Sequence, residues 1–297
     1  MMLLYGHIPL IWGMTLVHMH PLVSMLYFIV MIGVTFFVVH PLLIGISFLS
    51  AVAYVLHIKG RSVLRLGLLL ILPMLIFTAM MNPLFNHQGI TILMYLPNGN
   101  PITQEAILFG LIAAGKLVTV VIWFTCVNAV ITSDKMVYLM GRVMPVFSLI
   151  LTMSLRFIPL FITQAKLINN AHKAMGVNLH PFKVLSILVT WALENAIETA
   201  DSMKARGYGL PNRTAFHIFS FRKNDKKALL FIVICTTIIV ISMVNQVHHF
   251  RFFPSVQGNL VDVPIIIMGL VYFMLGTLPI ILKIKEELYW KRITSIT

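Results

Sequence analysis

A few residue patterns in this chain have types and spacings that could do chemistry. Ser202 to Gly209 reads SMKARGYG, an arginine between small residues at a helix end, followed at once by glycine. A guanidinium is a permanently charged planar fork that holds carboxylates bidentately, so the pattern speaks of docking rather than bond-making. Earlier, Ala171 to Gly176 reads AHKAMG, a weaker copy of the same phrase. The same letters also suit a plain helix stop, because cations favour the negative end of the helix dipole and glycine takes the left-handed cap. Gly110 to Lys116 reads GLIAAGK, close to a phosphate-binding loop. The next residue is Leu117 where that loop needs a hydroxyl for magnesium, and the stretch lies inside an apolar run, so it is not read as a nucleotide site. Lys116 itself sits where a cation is costly and so faces protein or water; an interior structural role is favoured. His18 and His20 have no Cys, Asp or Glu nearby, short of the three or four ligands a metal needs. The chain has no H-E-x-x-H or G-x-S-x-G pattern. Cys126 and Cys235 lie in separate apolar runs, which makes neither a disulfide framework nor a metal site. Catalytic residues, metal sites and cofactors are therefore expected to be none.

The elements that position the arginine phrase follow from composition. Of 297 residues, 59% are hydrophobic and 10% are charged, against about 25% charged in a soluble domain. So much apolar surface needs lipid as its solvent. A net charge of +13 then reads as the Lys and Arg of cytoplasmic loops; nucleic acid is excluded because no basic run is interleaved with stacking aromatics. No removable signal peptide is read at the N-terminus, which lacks a charged leading region and a small-residue cleavage site. Residues 1–20 are apolar but broken by Gly6, Pro9, His18 and His20, which fits an interfacial or re-entrant segment.

Runs near the length needed to cross a bilayer are 22–39, 41–57, 64–82, 104–131, 229–246 and 263–283. Lys59, Arg61 and Arg65 fall between the second and third, whereas 83–103 has neither Lys nor Arg. Between 156 and 227 stand eleven Lys or Arg against four acids. This alternation places both termini and the central region in the cytoplasm and 83–103 outside. Parity then requires the apolar stretch 143–161 to lie along the inner face without spanning. The expected fold is all-α: a polytopic membrane protein with about six transmembrane helices and two long cytoplasmic helices. Its organisation is 1–145 N-terminal transmembrane helices, 146–228 the cytoplasmic helix region, and 229–297 C-terminal transmembrane helices with a basic tail.

The two central helices have readable faces. Leu185, Leu188, Val189, Ala192, Ala196, Ala200 and Met203 share one stripe at helical spacing. Its small residues Ala192, Ala196 and Ala200 allow another helix to approach closely. Glu194, Glu198 and Asp201 share the opposite face. In the preceding helix Phe161, Ala165, Ile168 and Met175 form a similar stripe, and Pro181 separates the two helices.

Taken in order, the phrases resemble the transmembrane T component of energy-coupling factor transporters, the group that includes the membrane subunit of cobalt and nickel uptake systems. Asn82-Pro83-Leu84-Phe85 with Gly89, and Ile102-Thr103 with Glu105, resemble that family's external loop. Ser154 to Pro159, SLRFIP, resembles the entry to its first coupling helix. Met203 to Tyr208, then Arg213-Thr214 and Asp225, resemble the end of the second and its exit. The resemblance covers roughly residues 20 to 245. It implies a multi-pass protein of the prokaryotic cell membrane, itself not an enzyme. Its implied partners are two cytoplasmic ABC-type ATPase subunits and a membrane S component that binds a vitamin or metal ion. It further implies that Ala205-Arg206-Gly207 and Ala174-Met175-Gly176 are the ATPase-coupling motifs. At the first of these, Met175 stands where the family has arginine. Either that contact has become hydrophobic, or Lys173 supplies the charge, or the first joint is weak. A polytopic membrane enzyme acting on lipid or prenyl substrates is the alternative; clustered intramembrane acids or histidines would mark it. A self-sufficient carrier would show paired, similarly broken spans.

The charge asymmetry generates a direct test. With Cys126 and Cys235 removed, Asn98→Cys is expected to react with an impermeant thiol reagent in intact cells and Asn212→Cys to react only after lysis. Labelling of position 212 alone would invert the orientation.

Overall fold

The computed structural model describes residues 15–60, 62–97, 99–176, 180–208, 210, 219–245, 247, 250–258 and 262–294. Most of the first twenty residues, Asn98, Gly209, Asn212 to Thr214 and His248-His249 lie outside them. The chain forms two compact units, Met1–Thr132 with Phe219–Thr297, and Ser133–Ile218.

The first unit holds α1 (Pro21–Phe37), α2 (Pro41–Lys59), α3 (Ser62–Phe85), α4 (Gln104–Val130), α8 (Lys223–Val244) and α9 (Val263–Thr294). Each span read from hydropathy falls on one of these helices. The sequence sets their starts. His20-Pro21 and His40-Pro41 open α1 and α2, with proline where its missing N–H costs nothing. His20 also caps α1, its Nδ1 accepting from the Leu22 N–H at 3.3 Å. The all-α reading holds, with one small addition. In the segment read as external, β1 (Ile92–Tyr95) pairs antiparallel with β2 (Pro101–Thr103), which leads straight into α4.

The core of this unit is aromatic. Trp123 of α4 is fully buried, with the rings of Tyr27 and Phe28 edge-on at 6.1 and 6.2 Å and that of Tyr54 tilted at 6.4 Å. Its Nε1 donates to Ser47 Oγ of α2 at 3.1 Å. Ser47 lies 2.7 Å from Thr35 Oγ1 of α1 and 3.0 Å from the Tyr272 hydroxyl of α9. Thr35 and Tyr272 are themselves 2.7 Å apart. Four helices meet at one buried polar cluster, the kind of contact that joins helices where lipid offers no hydrophobic drive.

The second unit holds α5 (Ser133–Val143), α6 (Pro145–Ala174) and α7 (Pro181–Ala205). Gly141 lets α5 and α6 close up: a Cβ there would stand 3.0 Å from Ser148 Oγ, which itself donates to the Val137 carbonyl at 2.9 Å. The sequence reading keeps 143–161 apart from the helix that follows. The structure does not: α6 is one 30-residue helix that runs through Pro159. By length and composition alone, five described helices can cross a membrane, namely α2, α4, α6, α8 and Val263–Leu288 of α9. Pro21–Phe37 and Ile71–Phe85 are apolar but shorter.

The look-alike phosphate loop lies within α4. A Cβ on Gly110 would sit 2.7 Å from the Ala79 carbonyl oxygen of α3, so this glycine is where two helices touch. Lys116 places its Nζ over the Phe36 ring at 5.2 Å, a cation–π contact that gives an interior cation a partner. Gly110→Leu is accordingly expected to destabilise the purified chain by about 1–3 kcal/mol through overpacking. Gly115→Leu, with nothing within 4 Å of the added Cβ, is expected to leave the detergent melting temperature unchanged or raised. Equal effects would remove the α3–α4 contact as the reason for Gly110.

Candidate functional site

Both arginine-type phrases fall at the end of a helix, and both ends are built alike. Helix α7 stops at Arg206, which has φ −85° and ψ 11°. Gly207 follows at φ +78°, in the left-handed region. Its N–H bonds the Lys204 carbonyl at 3.0 Å and the Tyr208 N–H bonds that of Met203 at 2.9 Å, a complete Schellman cap. Helix α6 stops at Met175, with φ −83° and ψ 5°, and Gly176 follows at φ +76°. The Gly176 N–H bonds the Lys173 carbonyl at 3.0 Å. The backbone is the same; the side chain offered at the cap position is not. Ala174, Lys173, Ala205 and Arg206 are all exposed. Met175 is 65% exposed, since the helix ends before it can extend the stripe of Phe161, Ala165 and Ile168.

The two ends lie far apart. Residues 175–180 join the end of α6 to the start of α7, so the length of α7 separates the motifs, roughly 37 Å at 1.5 Å per residue. At the far end, Arg206 shares a cleft of about 430 Å³ with Arg156 and Glu198. Met153, Phe157 and Leu160 of α6 and Asn195, Thr199, Ser202 and Met203 of α7 complete it. The structure thus brings together Arg156 and Arg206, from two phrases far apart in sequence, with Glu198 between the helices rather than turned wholly to solvent. Asp201 and Lys204 pair at 4.0 Å with both side chains exposed, a contact of little energetic weight.

The helix faces partly depart from the sequence reading. In α7 the half-buried positions are Val184, Leu188, Trp191, Ala192, Asn195, Thr199 and Met203. The Trp191 ring meets Phe161 of α6 edge-on at 5.8 Å. Of the small residues, Ala192 belongs to this intramolecular face, while Ala196 and Ala200 are exposed and stand to one side of it. Leu185, Val189, Leu193 and Ile197 are exposed with them. Sequence reasoning also missed Lys135. It is only 4% exposed, and burial pushes its ammonium down to about 8.

The external-loop phrases converge as well. Thr103 caps α4, its Oγ1 accepting from the Ala106 N–H at 3.3 Å and donating to the Gln88 carbonyl at 2.9 Å. The Glu105 carboxylate accepts from the Thr91 hydroxyl at 2.8 Å and from its N–H at 3.2 Å. Gly89, at φ +149°, passes so close that a Cβ would fall 2.6 Å from both Thr103 Oγ1 and Glu105 Oε2.

The sequence matches the family described as cobalt transport protein, CbiQ, over residues 14–218. The chain belongs to that family. It is an all-α polytopic membrane protein, as the sequence reading expected. It is also similar to the energy-coupling factor transporter transmembrane protein EcfT of Leuconostoc gelidum subsp. gasicomitatum, at 32% identity over 97 residues. That alignment covers 29% of this chain and 36% of the relative, so the chain spans about a third of the curated protein it matches. The CbiQ match takes in both helix ends and the segment 82–105, and stops before α8 and α9.

The faces of α7 predict a contrast in the purified chain. Ala192→Leu is expected to lower stability by about 1–3 kcal/mol, because it overpacks the α6 contact. Ala196→Leu is expected to stay within about 0.5 kcal/mol, as at other exposed positions. Thermal unfolding in one detergent compares them; a loss at Ala196 equal to that at Ala192 would show that this chain itself covers position 196.

Proposed function

We propose that this chain is the coupling subunit of an energy-coupling factor importer. It passes the motion of two cytoplasmic ATPase subunits to a separate membrane S component, which binds the vitamin or metal ion to be taken up. The observation that carries the reading is the pair of like-built helix ends at opposite ends of α7, one presenting Arg206 and the other Met175. A left-handed glycine just past each cap turns the chain away and leaves the cap side chain free to enter a partner's socket. A stiff helix roughly 37 Å long can reach two sockets on two subunits at once. On this reading the chain has no catalytic residues of its own. Hydrolysis belongs to the ATPases, and substrate binding belongs to the S component.

The exposed Ala196 and Ala200 suit close approach by a helix of the S component, because small residues let two helix backbones come close. The Lys and Arg asymmetry supports cytoplasmic termini and a cytoplasmic coupling region in a prokaryotic cell membrane.

The two ends are expected to differ in strength. Arg206 in a socket is a buried, hydrogen-bonded charge, and truncating one partner of such a pair costs about 2–5 kcal/mol, one to several powers of ten in affinity. Arg206→Ala is therefore expected to release or uncouple the ATPases while the chain still inserts in the membrane. Met175→Ala loses only apolar packing, below about 2 kcal/mol, and Met175→Arg is expected to be tolerated or to strengthen docking. Detergent pull-down of ATPase subunits with each variant, at matched expression and beside an uptake assay, compares the three. An Arg206→Ala chain that keeps its ATPases and imports at the wild-type rate would reduce the motif to a helix cap.

A further inference from the structure

The charged ends of α8 and α9 frame a cleft that the coupling reading does not use. It measures about 240 Å³ and lies between the first turns of α8 and the second half of α9. Asn224 and Lys227 stand on one side and Lys285 on the other, with Phe231, Leu278 and Leu282 as apolar walls. Both lysines lie just beyond the apolar runs 229–246 and 263–283, so they sit at the same edge of the membrane-grade part of the bundle. Both are exposed, and among the described residues neither has an ion-pair or hydrogen-bond partner. The nearby acids are turned to other work. The Asp225 carboxylate accepts from the N–H groups of Arg222 and His20 at 2.9 and 3.4 Å, and Glu286 accepts from the Thr15 N–H at 2.9 Å. Lys283 donates to the His57 carbonyl at 2.9 Å and does not face the cleft. Glu287 is exposed and does not line it.

We infer that this cleft holds the headgroup of an anionic phospholipid, with Lys227 and Lys285 on the phosphate and Phe231, Leu278 and Leu282 against the start of its acyl chains. Unpartnered ammonium groups on opposite walls create a site for a phosphodiester, and Asn224 adds an amide donor for a glycerol-type headgroup. The walls select the occupant. A soluble anion gains nothing from three apolar side chains that continue into the exposed Leu230 and Ile281, whereas a lipid satisfies both halves of the cleft. Basic pockets at the cytoplasmic ends of membrane helices bind lipid headgroups on this principle.

Native mass spectrometry of the purified 297-residue chain, mixed with equal amounts of phosphatidylglycerol and phosphatidylcholine of identical acyl chains, tests the assignment. The wild type is expected to retain phosphatidylglycerol with about twenty-fivefold preference, the product of roughly fivefold from each lysine beside an anionic headgroup. Lys227→Gln with Lys285→Gln is expected to bring that preference within about threefold, since little besides headgroup charge then separates the two lipids. The conservative pair Lys227→Arg with Lys285→Arg is expected to keep it, and so guards against misfolding as the cause. Lys223→Gln with Lys226→Gln removes the same charge from outside the cleft and is expected to have little effect. An equal loss in that control pair would overturn the site in favour of diffuse surface charge. Displacement of the lipid by millimolar glycerol phosphate would overturn the lipid as occupant in favour of a free anion. Absence of preference in the wild type would overturn the inference outright.

Discussion

The hydroxyl cluster of Thr35, Ser47 and Tyr272, with the Trp123 indole closing it, is the constraint on which the first unit depends. In lipid a polar group cannot turn to water, so it must find its partner inside the protein. Here four helices supply one another's partners at 2.7–3.1 Å. The requirement is geometric, and it fixes the rotation of α1, α2, α4 and α9 about their own axes. Aromatic packing around Trp123 and the close passage of α9 past α2 follow from it. At Gly276, one turn beyond Tyr272, a Cβ would fall 2.5 Å from Ser50 Oγ.

The second unit is held by different means. No residue of α7 is fully buried, and of α6 only Ser148 and Ile168 are. A unit with so little enclosed surface takes much of its order from local sources: caps, proline starts and good intrahelical bonds. It leaves Val146, Phe147, Ile150, Ile158 and Ile162 of α6 and Leu193 and Ile197 of α7 uncovered. So much exposed apolar area belongs against lipid or another protein.

Much of this was legible from sequence, and the illegible parts have physical reasons. The spans were readable because twenty apolar residues in a row have few other uses. The helix ends at Gly176 and Gly207 were readable because a left-handed cap selects glycine. The continuity of α6 was not, because Pro159 and the change from apolar to polar after 161 look like a boundary; in the structure the helix runs on through both. The α7 face was readable only to within a small rotation. Ala192, Ala196 and Ala200 drift around the helix, and only packing against Trp191 and Phe161 decides which of them is covered. Gly110 carried no signal of its helix contact, since its neighbour Ala79 lies on another helix. The burial of Lys135 was not legible, because a letter shows a charge and not its surroundings. The coupling assignment of Arg206 and Met175 rests on the resemblance and on like cap geometry, so it stays a proposal.

The first unit is discontinuous in the chain, and this bears on how the protein is made. Chains are synthesised from the N-terminus and their parts fold as they emerge. Thr35, Ser47 and Trp123 therefore enter the bilayer well before Tyr272 exists, with the whole of the second unit still to be translated between them. The waiting hydroxyls are not stranded. Thr35 Oγ1 donates to the Met31 carbonyl of its own helix at 2.7 Å, a bond available as soon as α1 has formed. Trp123 already has Ser47 from α2. The early helices can thus sit in lipid as a satisfied intermediate, and α9 arrives as a latch that the translation machinery supplies last.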